Sequence, residues 1–439
     1  MACLWQYIQW AFAPGARTLA SIARQDERVV ISGIGMIASV GRDRESVWRA
    51  VRGGESGIRL LTGAECKPAG PMLGAPVDLV ADRPGRLKPI PLCVHAAEEA
   101  FRDARLELDQ VDRARFGAVI SGHVGDTDYV VESLGRTDLI VPGKPPWWTQ
   151  WLPNSACSFV ANRYRLHGPR IAHSTACSSG LIDILAATRA IQDGQCERAL
   201  TGSAEGIHPL FAAGFDRMRV LAHDDNPTEA CRPFDRDRRG FVMGEGAAMF
   251  ILERLDCALE RGAEIYAEIL GGAILADAHH VTGLDVDSDS LAQLITITLD
   301  RAGLTPPRIG YISAHGTATQ QNDVMETRGI RRALGPAAEQ VCVSAVKSML
   351  GHLVNASGSV ELAITTLALR DGFVPPTRNL TNPDPECDLD FIPQVGRRLE
   401  FEHALKLSLA FGGHLAAVAI GRWNDARSGR VSLLDRHAA

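Results

Sequence analysis

The chain has 439 residues, of which 46% are hydrophobic and 22% charged, so its composition is that of a folded protein with a large core or two domains and not of a disordered or fibrous one. Its formal net charge of −6 gives no general attraction for nucleic acid, and we expect no nucleic-acid partner. The ten cysteines form neither a CxxC pair nor a Cys/His cluster at zinc-ligand spacing, which argues against a disulfide framework and a metal site and favours a reducing, cytoplasmic location.

The amino-terminal residues 1–27 are not expected to belong to the fold. They are apolar and then weakly basic, and they lack the charged start of a secretory signal. No apolar run in the chain reaches the roughly 18 residues that span a bilayer. We therefore treat these residues as an extension and predict no transmembrane segment.

The predicted elements begin at Arg28. There "RVVISGIG" predicts a strand, and "RESVWRAVRGG" predicts a helix that ends at a glycine. The letters "GIGMIA" imitate a dinucleotide-binding pattern, but the predicted helix starts near Arg44, too late for its N-terminus to meet a pyrophosphate. We therefore predict no dinucleotide site.

Further β-branched and alanine-rich runs predict strands along the rest of the chain, with helical stretches between several of them. These runs are "GAVISGHVG", "RIAHSTA", "ERALTGSAEG", "GAAMFILE", "YAEILGGAIL", "IGYISAHG" and "QVCVSAVKS". Apolar strands that alternate with helices indicate a mostly parallel sheet covered on both faces, which is an α/β fold class. Two proline-rich segments, "GKPPWWTQWLPN" and "GFVPPTRNLTNPDPECDLD", interrupt the pattern as a loop and an extended segment.

The stretch "STACSSG" makes Cys177 a candidate nucleophile. It lies where a strand predicted to end near Thr175 meets the helix "LIDILAATRAIQDG", so its sulfur would sit at a helix N-terminus. There the helix dipole and free N–H groups favour thiolate and can lower a cysteine pKa from about 8.5 to roughly 3.5–7.5. Free cysteine is also commonly a small buried hydrophobe, and this motif alone leaves both interpretations open.

Two histidines and a lysine follow other predicted strands. His315 ends the strand of "SAHGTAT", and Lys347 and His352 fall in the loop of "VKSMLGHLVNASG". Because open α/β sheets bind ligands at the carboxyl ends of their strands, these side chains are candidate site residues, although a lone histidine is more often structural.

Glu361 sits in the otherwise almost wholly apolar helix "SVELAITTLALRDG" and needs a partner there. Lys347, one loop upstream, is the nearest plausible one. Such a pair would either order the neighbouring histidines or be a purely architectural salt bridge. Near the end of the chain, Gly412 and Gly413 in "LAFGGHLAAVAI" either let the backbone approach a reacting group or form a plain turn.

In this order, "TACSSG", "AHGTAT", "KSMLGH" and "FGGH" resemble the β-ketoacyl-acyl carrier protein synthases of the elongating fatty-acid or type II polyketide type. The resemblance covers about Arg28 to Arg422. It implies a thiolase-like fold of two similar α/β halves in an αβαβα sandwich, which we place at 28–265 and 266–424, followed by a tail at 425–439. It also implies a homodimer and an acyl carrier protein as partner.

The resemblance further implies a decarboxylative Claisen condensation of an acyl-cysteine with malonyl-acyl carrier protein. Cys177 would take the acyl group, which fits nucleophilic covalent catalysis. His315 and His352 would donate hydrogen bonds to the carbonyl that becomes an enolate, and Lys347 with Glu361 would be the ordering pair. Because the substrates arrive on phosphopantetheine, no separate cofactor is implied.

Other positions match binding roles in that family. The backbone amides of Cys177 and Phe411 match the oxyanion hole. Phe411 also matches the gate of the acyl pocket, near which Phe241 falls. Thr317 and Thr319 match contacts to pantetheine.

The chain also departs from the family pattern, and the departures concern the acyl substrate. Ala410 replaces a glycine beside the gate and should stiffen it, and Leu350 replaces a threonine between the lysine and the histidine. Trp151, in "PPWWTQW", falls where the family lines its acyl pocket and would narrow it. Arg219 matches a position that meets the acidic carrier protein.

Two alternative functions remain open at this level. A partner subunit that only shapes the cavity, as chain-length factors do, typically lacks the cysteine, whereas Cys177 is present. A thiolase acting on coenzyme A thioesters would need a second active-site cysteine after the terminal glycines, and none follows them.

Overall fold

The computed structural model describes residues 28–62, 71–78, 88–122 and 152–424. The predicted extension 1–27, the tail 425–439 and Trp151 lie outside the described residues. In the described part of the chain, no helix is both long enough and apolar enough to cross a membrane.

The described strands are β1 (Val29–Ala38), β2 (Arg59–Leu61), β3 (Met72–Ala75), β4 (Phe116–Gly122), β5 (Arg170–Ile171), β6 (Arg198–Glu205), β7 (Met243–Gly244), β8 (Gly246–Arg254), β9 (Ala267–Ala276), β10 (Tyr311–Ser313), β11 (Cys342–Ser344), β12 (Phe373–Val374), β13 (Arg397–Arg398), β14 (His403–Ala410) and β15 (His414–Arg422). The α-helices are α1 (Arg44–Arg52), α2 (Pro89–Asp103), α3 (Ser155–Tyr164), α4 (Ser179–Gln192), α5 (Pro209–Arg217), α6 (Leu255–Glu260), α7 (Asp289–Ala302), α8 (Gln320–Leu334), α9 (Lys347–Leu350) and α10 (Ser357–Asp371). Short 3-10 helices lie at Leu108–Gln110, Arg113–Arg115, Ala176–Ser178, Pro227–Glu229, Pro306–Arg308, Gly335–Glu339 and Val354–Ala356.

Ten strands form one mixed sheet in the order β11-β10-β14-β15-β9-β1-β8-β6-β4-β5. The sheet is not mostly parallel as predicted, because β8 and β15 each pair antiparallel with both of their neighbours and β1 pairs antiparallel with β9. This sheet contains the same five-strand pattern twice. In the first half, β5, β4 and β6 run parallel, β8 runs antiparallel to them, and β1 pairs antiparallel with β8 and so runs in the direction of the first three. In the second half, β11, β10 and β14 run parallel, β15 runs antiparallel to them, and β9 pairs antiparallel with β15 and so again runs in the direction of the first three. The repeated topology agrees with two similar α/β halves, while the boundary between 265 and 266 stays a prediction.

The helices complete a layered arrangement around this sheet. The central layer is α4 and α10, which pack on each other and on strands of both halves, while α2 and α3 cover the outer face of the first half and α7 and α8 that of the second. Side chains alternate accordingly along β8, where Phe250 and Leu252 join the central core and Met249 and Ile251 join the outer core. Because protein encloses α10 on all sides, almost every one of its residues is buried.

The glycines of the dinucleotide-like "GIGMIA" serve packing. Both lie inside β1, facing α2. A Cβ atom on Gly35 would lie 1.9 Å from the carbonyl oxygen of Ala96, and one on Gly33 would lie 2.5 Å from that of Ala100. The absence of side chains therefore lets the strand and the helix approach each other, and α1 begins at Arg44 as predicted.

Two local predictions next to the site were wrong. The strand of "RIAHSTA" does not extend to Thr175, because β5 ends at Ile171 and the following residues are irregular. Side chains satisfy the backbone there in place of a strand ladder: the Ser121 hydroxyl donates to the carbonyl of His173, and the amide of Thr175 donates to Ser179 Oγ, both at 2.9 Å. The second error concerns "VKSML", which was predicted as a loop and forms the helical turn α9.

Candidate active site

The two central helices begin with the same backbone turn, and the two turns face each other. Each is a single 3-10 turn that opens on a residue with positive φ, Ala176 at 46° and Val354 at 41°. Positive φ is uncommon for residues other than glycine and carries strain, which is characteristic of functional turns. A Cβ atom on Gly180 would lie 2.6 Å from the backbone of α10, so the helix starts approach closely. This approach brings Cys177, in the first turn, to His352, just before the second.

The imidazole of His352 is oriented by its own loop. Its Nε2 atom lies 3.0 Å from Sγ of Cys177. The amide of Val354 donates to Nδ1 at 3.3 Å, and the Ser357 hydroxyl, which accepts from the amide of Leu353, lies 2.8 Å from the same nitrogen. Nδ1 is therefore an acceptor, and a neutral imidazole carries its proton on Nε2, directed at the sulfur.

Burial decides the protonation of these side chains. Burial, followed by the nearby ammonium of Lys347, lowers the pKa of both His315 and His352 well below 6.5, so both imidazoles are neutral at physiological pH. Burial also raises the pKa of the Cys177 thiol to about 12, with Lys347 acting in the opposite direction. The expected lowering of this pKa is therefore wrong, because the helix-end argument did not account for a sulfur enclosed by protein.

His315 lies two residues after the end of β10, and its ring centroid lies 5.3 Å from that of His352 at an angle of 84°. Buried charges hold its backbone. The amides of His315 and Gly316 donate to the carboxylate of Glu326 at 2.5 and 2.8 Å, and Lys347 Nζ donates to the His315 carbonyl at 2.5 Å. Burial raises the pKa of Glu326 to about 7. Sequence reasoning missed Glu326, which lies on α8, the helix that follows "AHGTAT" in the structure.

Glu361, buried in α10, meets two lysines and not one. Lys347 Nζ, the predicted partner, lies 2.6 Å from one carboxylate oxygen, and Lys406 Nζ lies 2.6 Å from the other. All three side chains are at most 1% exposed. Sequence reasoning missed Lys406, although it is the one charged residue in the strand-like run "ALKLSLA".

Two backbone amides point to an oxyanion site. The strand β14 ends at Ala410, which packs against Cys177. Neither the amide of Cys177 nor that of Phe411 donates to the backbone of another residue in the described part of the chain. Gly412 and Gly413 follow with φ of 87° and 75° and form the tight turn into β15. These are the two amides that the resemblance assigned to the oxyanion hole.

The site opens into a cavity of about 640 Å³. The hydroxyls of Thr317 and Thr319, which lie 2.9 Å apart, are part of its wall. The predicted site residues that line this cavity are Cys177, His315, His352, Thr317, Thr319, Phe241, Phe411 and Arg219. Lys347 and Glu361 lie behind it, where they touch the reacting groups only through the backbone of His315.

Aromatic rings form one side of the cavity. The ring centroid of Phe215 lies 5.3 Å from that of Phe241 and 6.3 Å from that of Phe411. Phe241 meets the ring of His352 edge to face at 5.0 Å. Sequence reasoning missed Phe215, and the structure does not describe Trp151, whose predicted place in the acyl pocket stays a prediction.

The mouth of the cavity carries positive charge. Arg219 is exposed there, at a φ of 58°, and Arg239 is a second exposed arginine on the same rim. In the part of the chain that the structure describes, no group of three or more His, Cys, Asp and Glu side chains is arranged to hold a metal ion. The two exposed arginines suit the cavity mouth to an acidic partner.

Two family models match the chain. The model described as beta-ketoacyl synthase, N-terminal domain, matches residues 89–258, and the one described as beta-ketoacyl synthase, C-terminal domain, matches residues 266–381. Together they cover more than half of the chain.

Curated relatives are similar along nearly their whole length. The tetracenomycin polyketide synthase ketoacyl synthase alpha subunit of Streptomyces glaucescens is 37% identical over 422 residues, which are 92% of this chain and 99% of the relative. The 3-oxoacyl-[acyl-carrier-protein] synthase 2 of Synechocystis is 37% identical over 413 residues, covering 91% of this chain and 99% of the relative.

Solved structures share the fold. A type II polyketide acyl-carrier protein complex with its ketosynthase bound to the hexaketide matches with a TM-score of 0.83 at 32% identity, over 90% of this chain and 99% of that one. The ishigamide ketosynthase/chain length factor matches with a TM-score of 0.81 at 30% identity, over 90% and 99% of the two chains. The predicted layered thiolase-like α/β fold is confirmed.

Proposed function

The chain belongs to the β-ketoacyl synthase family and is a condensing, acyl-transferring enzyme; we propose that it joins an acyl group held on Cys177 to a malonyl unit held on an acyl carrier protein. The observation that carries the assignment of roles is the 3.0 Å contact between Cys177 Sγ and His352 Nε2 in a cavity that also holds His315. The cavity therefore brings together a nucleophile, the thiol of Cys177, and two neutral hydrogen-bond donors, the imidazoles of His315 and His352.

In the first half-reaction, Cys177 attacks the carbonyl of an acyl-pantetheine thioester. The new carbon–sulfur bond to Cys177 replaces the one to pantetheine, and the thiol proton of Cys177 ends on the pantetheine sulfur, so no net proton is consumed. The raised thiol pKa means that the thiolate forms only during attack. The Nε2–H group of His352 then donates to the sulfur and stabilises its charge.

In the second half-reaction, malonyl-pantetheine loses carbon dioxide. The electron pair of the broken carbon–carbon bond moves into the thioester, whose oxygen takes the negative charge of an enolate. The imidazole N–H groups of His315 and His352 donate to this oxygen, and both rings are available because burial keeps them neutral.

The enolate carbon then attacks the acyl-cysteine carbonyl. The oxygen of the tetrahedral intermediate lies within reach of the amides of Cys177 and Phe411, which have no other backbone acceptor among the described residues. Collapse of the intermediate releases the β-ketoacyl thioester and the Cys177 thiolate. The thiolate takes one proton from solvent, which balances the carboxylate lost as carbon dioxide.

The partner in both half-reactions is an acyl carrier protein. Support comes from the exposed arginines Arg219 and Arg239 at the cavity mouth, which suit an acidic surface, and from the solved ketosynthase that is in complex with its acyl-carrier protein. Thr317 and Thr319 would contact the pantetheine arm. No cofactor beyond that arm is needed for this chemistry.

We further propose a homodimer in the cytoplasm. Support for the assembly is the family resemblance, and support for the compartment is that the eight cysteines in the described residues are all free and buried.

The test incubates the protein with acyl and malonyl carrier proteins and measures intact masses. We expect one acyl group on wild type, none on C177A, and a β-ketoacyl carrier protein only when malonyl carrier protein is added. Neither acyl-cysteine nor β-ketoacyl product with any acyl donor would reject the proposal. Acylation without condensation would instead support a partner-dependent subunit, and acylation by coenzyme A donors alone would support a thiolase.

A further inference from the structure

Lys406 is a buried cation that the chemistry above does not use. It lies on β14, four residues before Ala410, and its side chain is fully buried. Its Nζ atom contacts Glu361 Oε2 at 2.6 Å, the carbonyl of Ala314 at 3.1 Å and that of Ser313 at 3.4 Å, and it also donates to the carbonyl of Leu407. The ammonium therefore joins three elements: β14, α10 and the end of β10.

Charged side chains hold the whole segment that leads to His315. Lys406 donates hydrogen bonds to the carbonyls of residues 313 and 314, and Lys347 donates to the carbonyl of His315. Glu326 accepts hydrogen bonds from the amides of residues 315 and 316. A strand end normally satisfies such groups with backbone partners or water. Here fixed charges do so, and charge-assisted hydrogen bonds are stronger and shorter than neutral ones.

The buried cluster contains two lysines, Lys347 and Lys406, and two carboxylates, Glu361 and Glu326. Lys406 lies close enough to Glu326 for its charge to act on that carboxylate as well, and burying each of these charges is costly. The effect of Lys406 on the site is directional, because its charge opposes protonation of both His315 and His352. A cation placed there adds to the larger effects of burial and Lys347 in keeping the two imidazoles neutral, and it fixes the backbone that carries one of them.

We propose that Lys406 is a positioning residue for the decarboxylation half-reaction, acting through the carbonyls of residues 313 and 314 to set the imidazole of His315 against the malonyl thioester. This inference rests on the proposed function. It predicts that the two half-reactions respond differently, because Cys177 is acylated beside His352 without using His315.

The test compares K406M with wild type and with S408A. Methionine keeps the length of the side chain and removes its charge and donors. Ser408 lies on the same face of β14, is buried, and its hydroxyl has no partner in the described part of the chain, so S408A controls for disturbance of the strand. Carbon dioxide release from malonyl carrier protein measures decarboxylation, and intact mass measures acylation of Cys177.

We expect K406M to decarboxylate at least about tenfold more slowly than wild type while its acylation rate and that of S408A stay within about twofold. K406Q, which keeps a neutral donor, should recover part of the loss, and it replaces K406M if that variant does not fold. Decarboxylation within twofold of wild type in both Lys406 variants would overturn the inference, as would an equal fall of both half-reactions. Wild type inactive in both half-reactions would instead reject the proposed function.

Discussion

His352 Nε2 lies 3.0 Å from the sulfur of Cys177, and the amide of Val354 donates to Nδ1 of the same ring. Because Nδ1 accepts a hydrogen bond, the proton of the neutral imidazole is on Nε2. The histidine therefore donates a hydrogen bond to the sulfur and does not remove its proton. One N–H group can thus serve the thiolate in acylation and the enolate oxygen in decarboxylation.

Replacing His352 tests this double use. H352A removes one of two donors to the enolate, and we expect decarboxylation to fall by about 10²–10³-fold, the usual effect of losing one oxyanion donor. H352Q, which can still donate, should lose less. His167 is exposed and does not line the cavity, so H167A is the matched control and should match wild type. Carbon dioxide release that is unchanged in H352A would contradict the assignment.

The raised pKa of Cys177 predicts how the thiol reacts with pH. Because that pKa is about 12, the thiolate fraction grows about tenfold per pH unit through the neutral range, and alkylation by iodoacetamide should rise with it from pH 7 to 9. The rate is measured by intact mass, with C177A as the control for the other cysteines. A rate that is already constant below pH 7 would show a preformed thiolate and contradict the burial argument.

Glu361 should matter to stability because, among the carboxylates of the described residues, it is the one in contact with both buried lysines. E361Q leaves two buried cations without their counter-charge, and breaking a buried pair in this way costs about 3–5 kcal/mol. Urea unfolding should show this loss. E402Q, in a half-exposed pair with Arg422, is the control and should change the free energy of unfolding by less than about 0.5 kcal/mol.

Lys406 gives the fold a pH dependence of defined sign. Burial lowers its pKa from 10.5 to about 8, so between these values the folded chain binds fewer protons than the unfolded chain. Its contribution to the free energy of unfolding therefore rises with pH across that window, by at most about 3 kcal/mol. Urea unfolding at pH 7.5 and pH 10 should show wild type gaining stability relative to K406M. An unchanged difference between the two proteins would contradict the shift.

Acyl-chain preference should respond to two positions, of which Trp151 is predicted from the sequence to narrow the acyl pocket and Ala410 to stiffen its gate. W151A is expected to extend the longest acyl group accepted, and A410G to broaden the range, because glycine would free the residue that packs against Cys177. The measurement is the mass of β-ketoacyl products from a series of acyl donors. Unchanged preference in both variants would reject the pocket argument, and L407A, in the outer core, controls for general loosening.

Sequence determined the chemistry of this protein in outline. Small residues around Cys177, glycines beside His315 and His352, and a carboxylate in the apolar helix of Glu361 are visible without a fold. Each is a residue type that is unusual in the predicted element or turn in which it lies. The α/β class followed from apolar runs that alternate with helices, because strands buried on both faces carry no polar side.

Tertiary structure decided what local patterns do not contain. The duplicated turns at Ala176 and Val354 meet only because two halves of the same topology pack their central helices together, and that contact joins Cys177 to His352 across 175 positions. Enclosure by protein, which no window of sequence reveals, reversed the expected thiol pKa. Likewise, the sequence shows Lys406 only as a lysine in a predicted strand, and its contact with Glu361 exists because β14, β10 and α10 pack together. Desolvation and ion pairing depend on the groups that surround a charge in space and not on its neighbours in the chain.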